Sequence, residues 1–99
     1  MEEIFKALGD STRLKILQMI AERGDVCVCK LVEDLGIGQS AVSHHLAILR
    51  RAQILKSRRE GQWIHYSINL DTLDGQAKAY LHHLIEICNN SELNPSQCR

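Results

Sequence analysis

Two cysteines separated by one residue are the part of this sequence best suited to chemistry. Cys27 and Cys29 flank Val28, just ahead of a segment with helical apolar spacing. Thiolates are soft ligands that bind thiophilic ions. Residues two apart point about 200° away from each other on a helix, but they lie on the same side of an extended segment. Both sulfurs can therefore hold one ion only if Cys27 stays outside the helix or if binding unwinds the first turn.

Four helices are predicted in the first half of the chain, because apolar residues recur there every three or four positions. The second spans residues 11–23 behind Asp10, which can cap it. Gly36 can end the third helix in the left-handed conformation, and the fourth opens at Gln39. This pair of helices is typical of a helix-turn-helix. The inward-facing residues are Ile4, Phe5 and Leu8, then Leu14, Leu17, Ile20 and Ala21, then Leu31, Val32 and Leu35, and finally Val42, Leu46 and Leu49.

After Ala52 the apolar period changes from helical to alternating. Ile54-Leu55 and residues 63–68 predict two strands joined by a polar tip over residues 58–62, where Gly61 can adopt a positive φ. A last helix from Asp71 carries an apolar stripe that includes Cys88 and favours a dimer seam. We therefore expect a mainly α fold with a β-hairpin wing, that is, a winged helix-turn-helix of four helices, two strands and a final helix, assembled as a homodimer. Residues 1–90 form the DNA-binding and dimerisation domain, and residues 91–99 form a flexible C-terminal tail.

The charge distribution favours contact with DNA. The chain has no net charge, but residues 39–68 carry five basic side chains against one acidic side chain. A confined basic patch suits a short contact with a phosphate backbone. With the apolar face of the fourth helix inward, short polar side chains are left on its outer face, and two arginines stand at the wing tip. The predicted DNA-binding residues are Gln39, Ser40, Ser43, His44, Arg58 and Arg59.

Other classes of protein fit the sequence poorly. No apolar run approaches the roughly 18 residues of a membrane span, and the N-terminus lacks a signal-peptide pattern, so we expect a cytoplasmic protein without membrane contact. In that compartment the cysteines are expected to be free thiols or metal ligands. No cysteine belongs to a motif that implies a catalytic base and an oxyanion site, so we do not expect an enzyme.

Four stretches resemble the signature of the ArsR/SmtB winged-helix repressors. They are LGDSTRL from residue 8, DVCVCKL from residue 25, QSAVSHHL from residue 39 and EGQWIHY from residue 60. The resemblance implies a homodimer on an inverted-repeat operator, which represses an arsenical resistance operon until As(III) or Sb(III) binds. It makes Cys27 and Cys29 the inducer ligands. An ion held there would distort the start of the third helix and shift the reading helix packed against it.

The sequence departs from the arsenic-operon repressors at one position, since Val32 stands where they have a third cysteine. A third ligand would then be Cys88, Cys98, an outside thiol such as glutathione, or a group without sulfur. Two alternatives keep the repressor and change its signal. One is a Cd(II)- or Pb(II)-responsive repressor, and the other is a thiol-redox or persulfide sensor.

Overall fold

The computed structural model describes residues 1–90, so the predicted tail, with Cys98, lies outside the described residues. The order of elements is that of a winged helix-turn-helix with one additional short strand. In chain order they are α1 (Glu2–Leu8), α2 (Ser11–Arg23), β1 (Val26–Cys27), α3 (Val28–Leu35), α4 (Gln39–Arg51), β2 (Leu55–Glu60), β3 (Trp63–Ile68), α5 (Leu70–Thr72), a π-helix (Leu73–Ala77) and α6 (Lys78–Asn90).

Local chemistry sets the helix ends as predicted. The Asp10 carboxylate accepts a hydrogen bond from the backbone N–H of Arg13 at 3.0 Å, which caps α2 and lowers the pKa of that carboxyl. Gly36 ends α3 in the left-handed region, at φ 69° and ψ 19°. The Arg13 guanidinium also donates to the carbonyl oxygen of Ala7 at 2.7 Å and to Nδ1 of His45 at 3.2 Å. One side chain of α2 therefore ties α1 to α4.

The core contains most of the predicted inward-facing residues. Leu31 of α3 packs in one cluster with the buried face of α4, formed by Val42, Leu46 and Leu49. The prediction is wrong for part of α2, because Leu14 is 50% exposed and Ala21 is exposed as well. The buried face of α2 is rotated relative to that prediction. It is formed by Ile16, Leu17 and Ile20.

The wing has three strands rather than the predicted two. β3 lies in the middle of an antiparallel sheet, with β1 on one side and β2 on the other. β1 contains only Val26 and Cys27, too few residues to show an alternating pattern in the sequence. The predicted tip is also too long, because β2 continues through Arg58 and Arg59 to Glu60. The turn is therefore only Gly61-Gln62, with Gly61 at φ 64° as expected.

The C-terminal helix is interrupted, whereas the sequence predicted one continuous helix from Asp71. Gly75 has the non-helical angles φ −88° and ψ −105°, and it kinks the chain within the π-helix. Beyond the kink, α6 buries none of its residues in the described chain. Its exposed apolar side chains are Tyr80, Leu81, Leu84, Ile85 and Ile87. Tyr80 makes an edge-to-face contact with Phe5 of α1, at 5.8 Å between ring centroids.

Candidate functional site

The thiol pair lies at the junction of β1 and α3. Cys27 occupies the N-cap position of α3 with extended angles, φ −81° and ψ 145°, while Cys29 is already inside the helix. This is the arrangement in which two residues separated by one position can face each other. Their Sγ atoms are 2.9 Å apart, Cys29 is exposed and Cys27 is half-buried.

The pair can accommodate one soft ion after a small movement. A tetrahedral ion with metal–sulfur bonds of about 2.3 Å holds two sulfurs about 3.8 Å apart, so the two thiols must separate by about 0.9 Å. The hydrogen bond with Cys27 raises the pKa of the Cys29 thiol, and partial loss of hydration adds to that effect. The pair therefore keeps a proton that a metal ion has to displace.

The described residues place no third ligand beside the two sulfurs. No group of three or more His, Cys, Asp or Glu side chains within residues 1–90 is placed to hold a metal ion. Val32 lies half-buried one turn beyond Cys29, where it contacts the core. Cys88 is exposed on α6, and Cys98 lies outside the described residues. An ion that takes three or four ligands would therefore need, besides Cys27 and Cys29, at least one ligand that this arrangement does not provide.

Helix α4 presents the predicted reading surface. Gln39, Ser40, Ser43 and His44 are all exposed, whereas Val42, Leu46 and Leu49 of the same helix are buried. His45 is half-buried, and its ring accepts the Arg13 hydrogen bond, so it belongs to the packing between helices. The major groove of B-DNA is wide enough to admit an α-helix.

The two wing arginines lie in different surroundings. Arg58 forms ion pairs with Asp25 and with Glu60, and these contacts raise the pKa of its guanidinium. Arg59 follows it in β2 and therefore points to the other face of the sheet. Within the described chain, Arg59 is in no ion pair. Its charge is therefore open to a phosphate.

Two residues near the thiols were not singled out from the sequence. Asp25 directly precedes β1 and pairs with Arg58 across 33 positions of chain. His65 of β3 is the register partner of both Cys27 and Arg58, and its Nδ1 is 3.9 Å from the Asp25 carboxylate. Only the pairing of strands brings these groups together, so no local sequence signal could have identified them.

Comparisons with known proteins identify a family. Residues 10–57 match the family described as bacterial regulatory protein, arsR family. The arsenic resistance transcriptional regulator ArsR1 of Pseudomonas putida is 46% identical over 66 residues, which make up 67% of this chain and 52% of that protein. A cadmium resistance transcriptional regulatory protein CadC homolog of Staphylococcus aureus is 36% identical over 81 residues, which make up 81% of this chain and 67% of that protein. This chain therefore spans only about half the length of the Pseudomonas relative.

A solved structure shows the same fold. HlyU from Vibrio cholerae superposes with a TM-score of 0.67 at 32% identity, over 84% of this chain and 87% of that one. None of the helices within residues 1–90 has the length and apolarity needed to cross a membrane. Both the fold and these similarities identify the family. The chain belongs to the arsR family of bacterial regulatory proteins, which are transcriptional regulators and not enzymes.

Proposed function

We propose that the protein is a cytoplasmic repressor of an arsenical resistance operon, which leaves its operator when As(III) or Sb(III) binds to Cys27 and Cys29. The observation that carries this proposal is the 2.9 Å separation of the two sulfurs at the start of α3. Vicinal thiols condense with arsenous acid, each As–S bond replacing an As–OH bond and releasing water. A third ligand completes the coordination, from Cys88, Cys98, an outside thiol or a group without sulfur.

The packing of α3 provides a route from the ion to DNA. The sulfurs occupy the cap and the first turn of α3, and Leu31 one turn later is fully buried against the core that supports α4. Because this interior is close-packed, a change at the first turn of α3 displaces the helix beside it. The DNA contacts that would be lost are those of Gln39, Ser40, Ser43 and His44, with Arg59 on the backbone.

The apolar face of α6 supports a dimer. Its row of exposed apolar side chains, from Tyr80 to Ile87, is costly to leave in water and has no cover within the described chain. A second copy of the same helix covers such a row symmetrically. The dimer would place two copies of α4 on an inverted-repeat operator, one half-site for each protomer.

The test is operator affinity measured by fluorescence anisotropy, with a reductant that contains no thiol. Arsenite is expected to release wild-type protein, and Cys27→Ser is expected to bind DNA normally and resist release. Asp34→Asn is the control, since Asp34 lies on the same helix as Cys29 and its carboxylate pairs with Arg23 and Lys30, so the change leaves the thiols in place. Constitutive loss of DNA binding in Cys27→Ser would contradict the assigned role.

The alternative signal is Cd(II) or Pb(II), and the similarity to the Staphylococcus CadC homolog favours Cd(II). Parallel titrations with Cd(II), Pb(II) and Zn(II) decide between these ions. A thiol-redox or persulfide switch is the third candidate, favoured by the contact between the two sulfurs. If an oxidant or a persulfide released the operator DNA in metal-free buffer, and the reductant restored binding, the protein would be a thiol-redox or persulfide sensor and not an arsenical repressor.

A further inference from the structure

We propose that the ion pair between Asp25 and Arg58 couples the thiol pair to the wing, so that Arg58 is a positioning residue of the switch. The inference rests on the proposed function and adds a second route from the inducer to DNA. The first route runs through α3 to α4, and the second runs across the wing sheet.

The register of the sheet places the thiol pair within the wing itself. Cys27 of β1 lies opposite His65 of β3, and His65 lies opposite Arg58 of β2. Residues directly opposite each other in an antiparallel sheet project from the same face. Cys27, His65 and Arg58 therefore form one row across the face that points away from the core, while Val26 and Tyr66 occupy the core-facing side.

Asp25 connects the segment just before the thiols to β2. It directly precedes β1, and its carboxylate contacts the Arg58 guanidinium and lies 3.9 Å from Nδ1 of His65. Glu60, at the end of β2, holds the other side of the same guanidinium. The contact between Asp25 and Arg58 thus joins β2 directly to the segment before the thiols. Backbone pairing joins β2 to β1 only indirectly, because β3 lies between them.

Ion binding would move Asp25 relative to Arg58. The sulfurs must move apart for one ion to lie between them, and Cys27 belongs to a strand of only two residues. A shift of so short a strand carries Asp25 with it and changes its contact with Arg58. Both partners of the contact are about half exposed, so the pair is weak enough to rearrange without unfolding the domain.

The neighbouring arginine provides the contrast. Arg59 projects from the opposite face of β2 and is in no ion pair within residues 1–90, so it is the residue placed to contact a phosphate. If Arg58 contacted DNA instead, Asp25 and Glu60 would partly neutralise it. Removal of Asp25 would then strengthen DNA binding and leave the response to the inducer intact.

The experiment measures a coupling ratio, the operator dissociation constant with saturating arsenite divided by that without it. Allosteric coupling between two binding sites typically changes an affinity by about 5- to 150-fold. Asp25→Asn and Arg58→Ala should each lower the ratio at least about threefold, and the double variant should lower it no further, because both changes break one contact. Asp34→Asn is the matched control, since Asp34 pairs with Arg23 and Lys30, away from the wing.

Trp63, the only tryptophan, gives a readout without DNA because it begins β3 opposite Glu60. Arsenite should change its emission in the wild type and much less in Arg58→Ala, while arsenic retained after gel filtration stays equal in the two proteins. The charge-swapped variant Asp25→Arg with Arg58→Asp should recover the coupling ratio. If Asp25→Asn and Arg58→Ala kept the wild-type coupling ratio and emission change, the coupling through Asp25 and Arg58 would be refuted and the proposed function would stand. If neither arsenite nor Cd(II) released the wild type from DNA, both the coupling and the proposed function would be refuted.

Discussion

Raising the pH should steeply strengthen release of DNA by Cd(II) and leave release by arsenite almost unchanged. The thiol pair shares a hydrogen bond, which raises the pKa of the Cys29 thiol, so a proton stays on the pair at neutral pH. Binding of Cd(II) to the pair displaces the proton that the raised pKa keeps on Cys29. The apparent affinity for Cd(II) should then rise about tenfold per pH unit from this proton, until the pH passes the pKa of Cys29 and the slope flattens.

Arsenite differs because near neutral pH it is the uncharged acid As(OH)₃. When it condenses with a thiol, the proton of the thiol leaves with a hydroxide as water. No proton is released to solution, and the pH slope should be close to zero. The pH slope therefore separates the two inducers on the same pair of sulfurs.

The assay is the concentration of inducer that releases half of the operator, measured between about pH 6 and pH 8 at constant ionic strength. Cd(II) is buffered by a chelator of known pH dependence, and the operator affinity without ion is measured at each pH as the baseline. Asp34→Asn, which changes a carboxylate paired with Arg23 and Lys30, should show the same slopes as wild type. A flat Cd(II) slope would refute the reasoning, because it would mean that the pair carries no displaceable proton. A steep arsenite slope would show that a group outside the pair loses a proton on binding.

Three further changes have defined outcomes. Arg59→Ala should weaken operator binding and reduce the slope of log affinity against log salt by about 1, as expected for one lost phosphate contact. Leu46→Ala should lower the free energy of unfolding by about 2 to 5 kcal/mol in urea denaturation at fixed protein concentration, because this side chain is 1% exposed; a loss below about 1 kcal/mol would mean that α4 is loosely packed. Gly36→Ala should cost about 1 to 2 kcal/mol through its φ of 69°, since no atom lies within 4 Å of the added Cβ, and Gly36→Asn should cost less; equal losses would point to a cause other than backbone strain.

Local signals in the sequence determined most of the helical part of this protein. The cap at Asp10, the left-handed end at Gly36 and the positive φ at Gly61 each depend on one residue and its neighbours, and all three are present. The inward face of α4 was also predictable, because Val42, Leu46 and Leu49 recur with the period of a helix. Resemblance in the same stretches identified the family. The roles of the six predicted DNA-binding residues remain predictions.

Only the tertiary structure decided what surrounds the thiol pair. The sequence allowed Cys27 to be inside or outside α3, and strand pairing with β3 holds it outside. A two-residue strand has no period to detect, and the contact of Asp25 with Arg58 joins residues 33 positions apart, so both depend on the register of the sheet. The kink at Gly75 likewise could not be read from an apolar stripe that continues across it. Local chemistry thus specified the helices and their ends, whereas long-range strand pairing placed the sulfurs beside the wing.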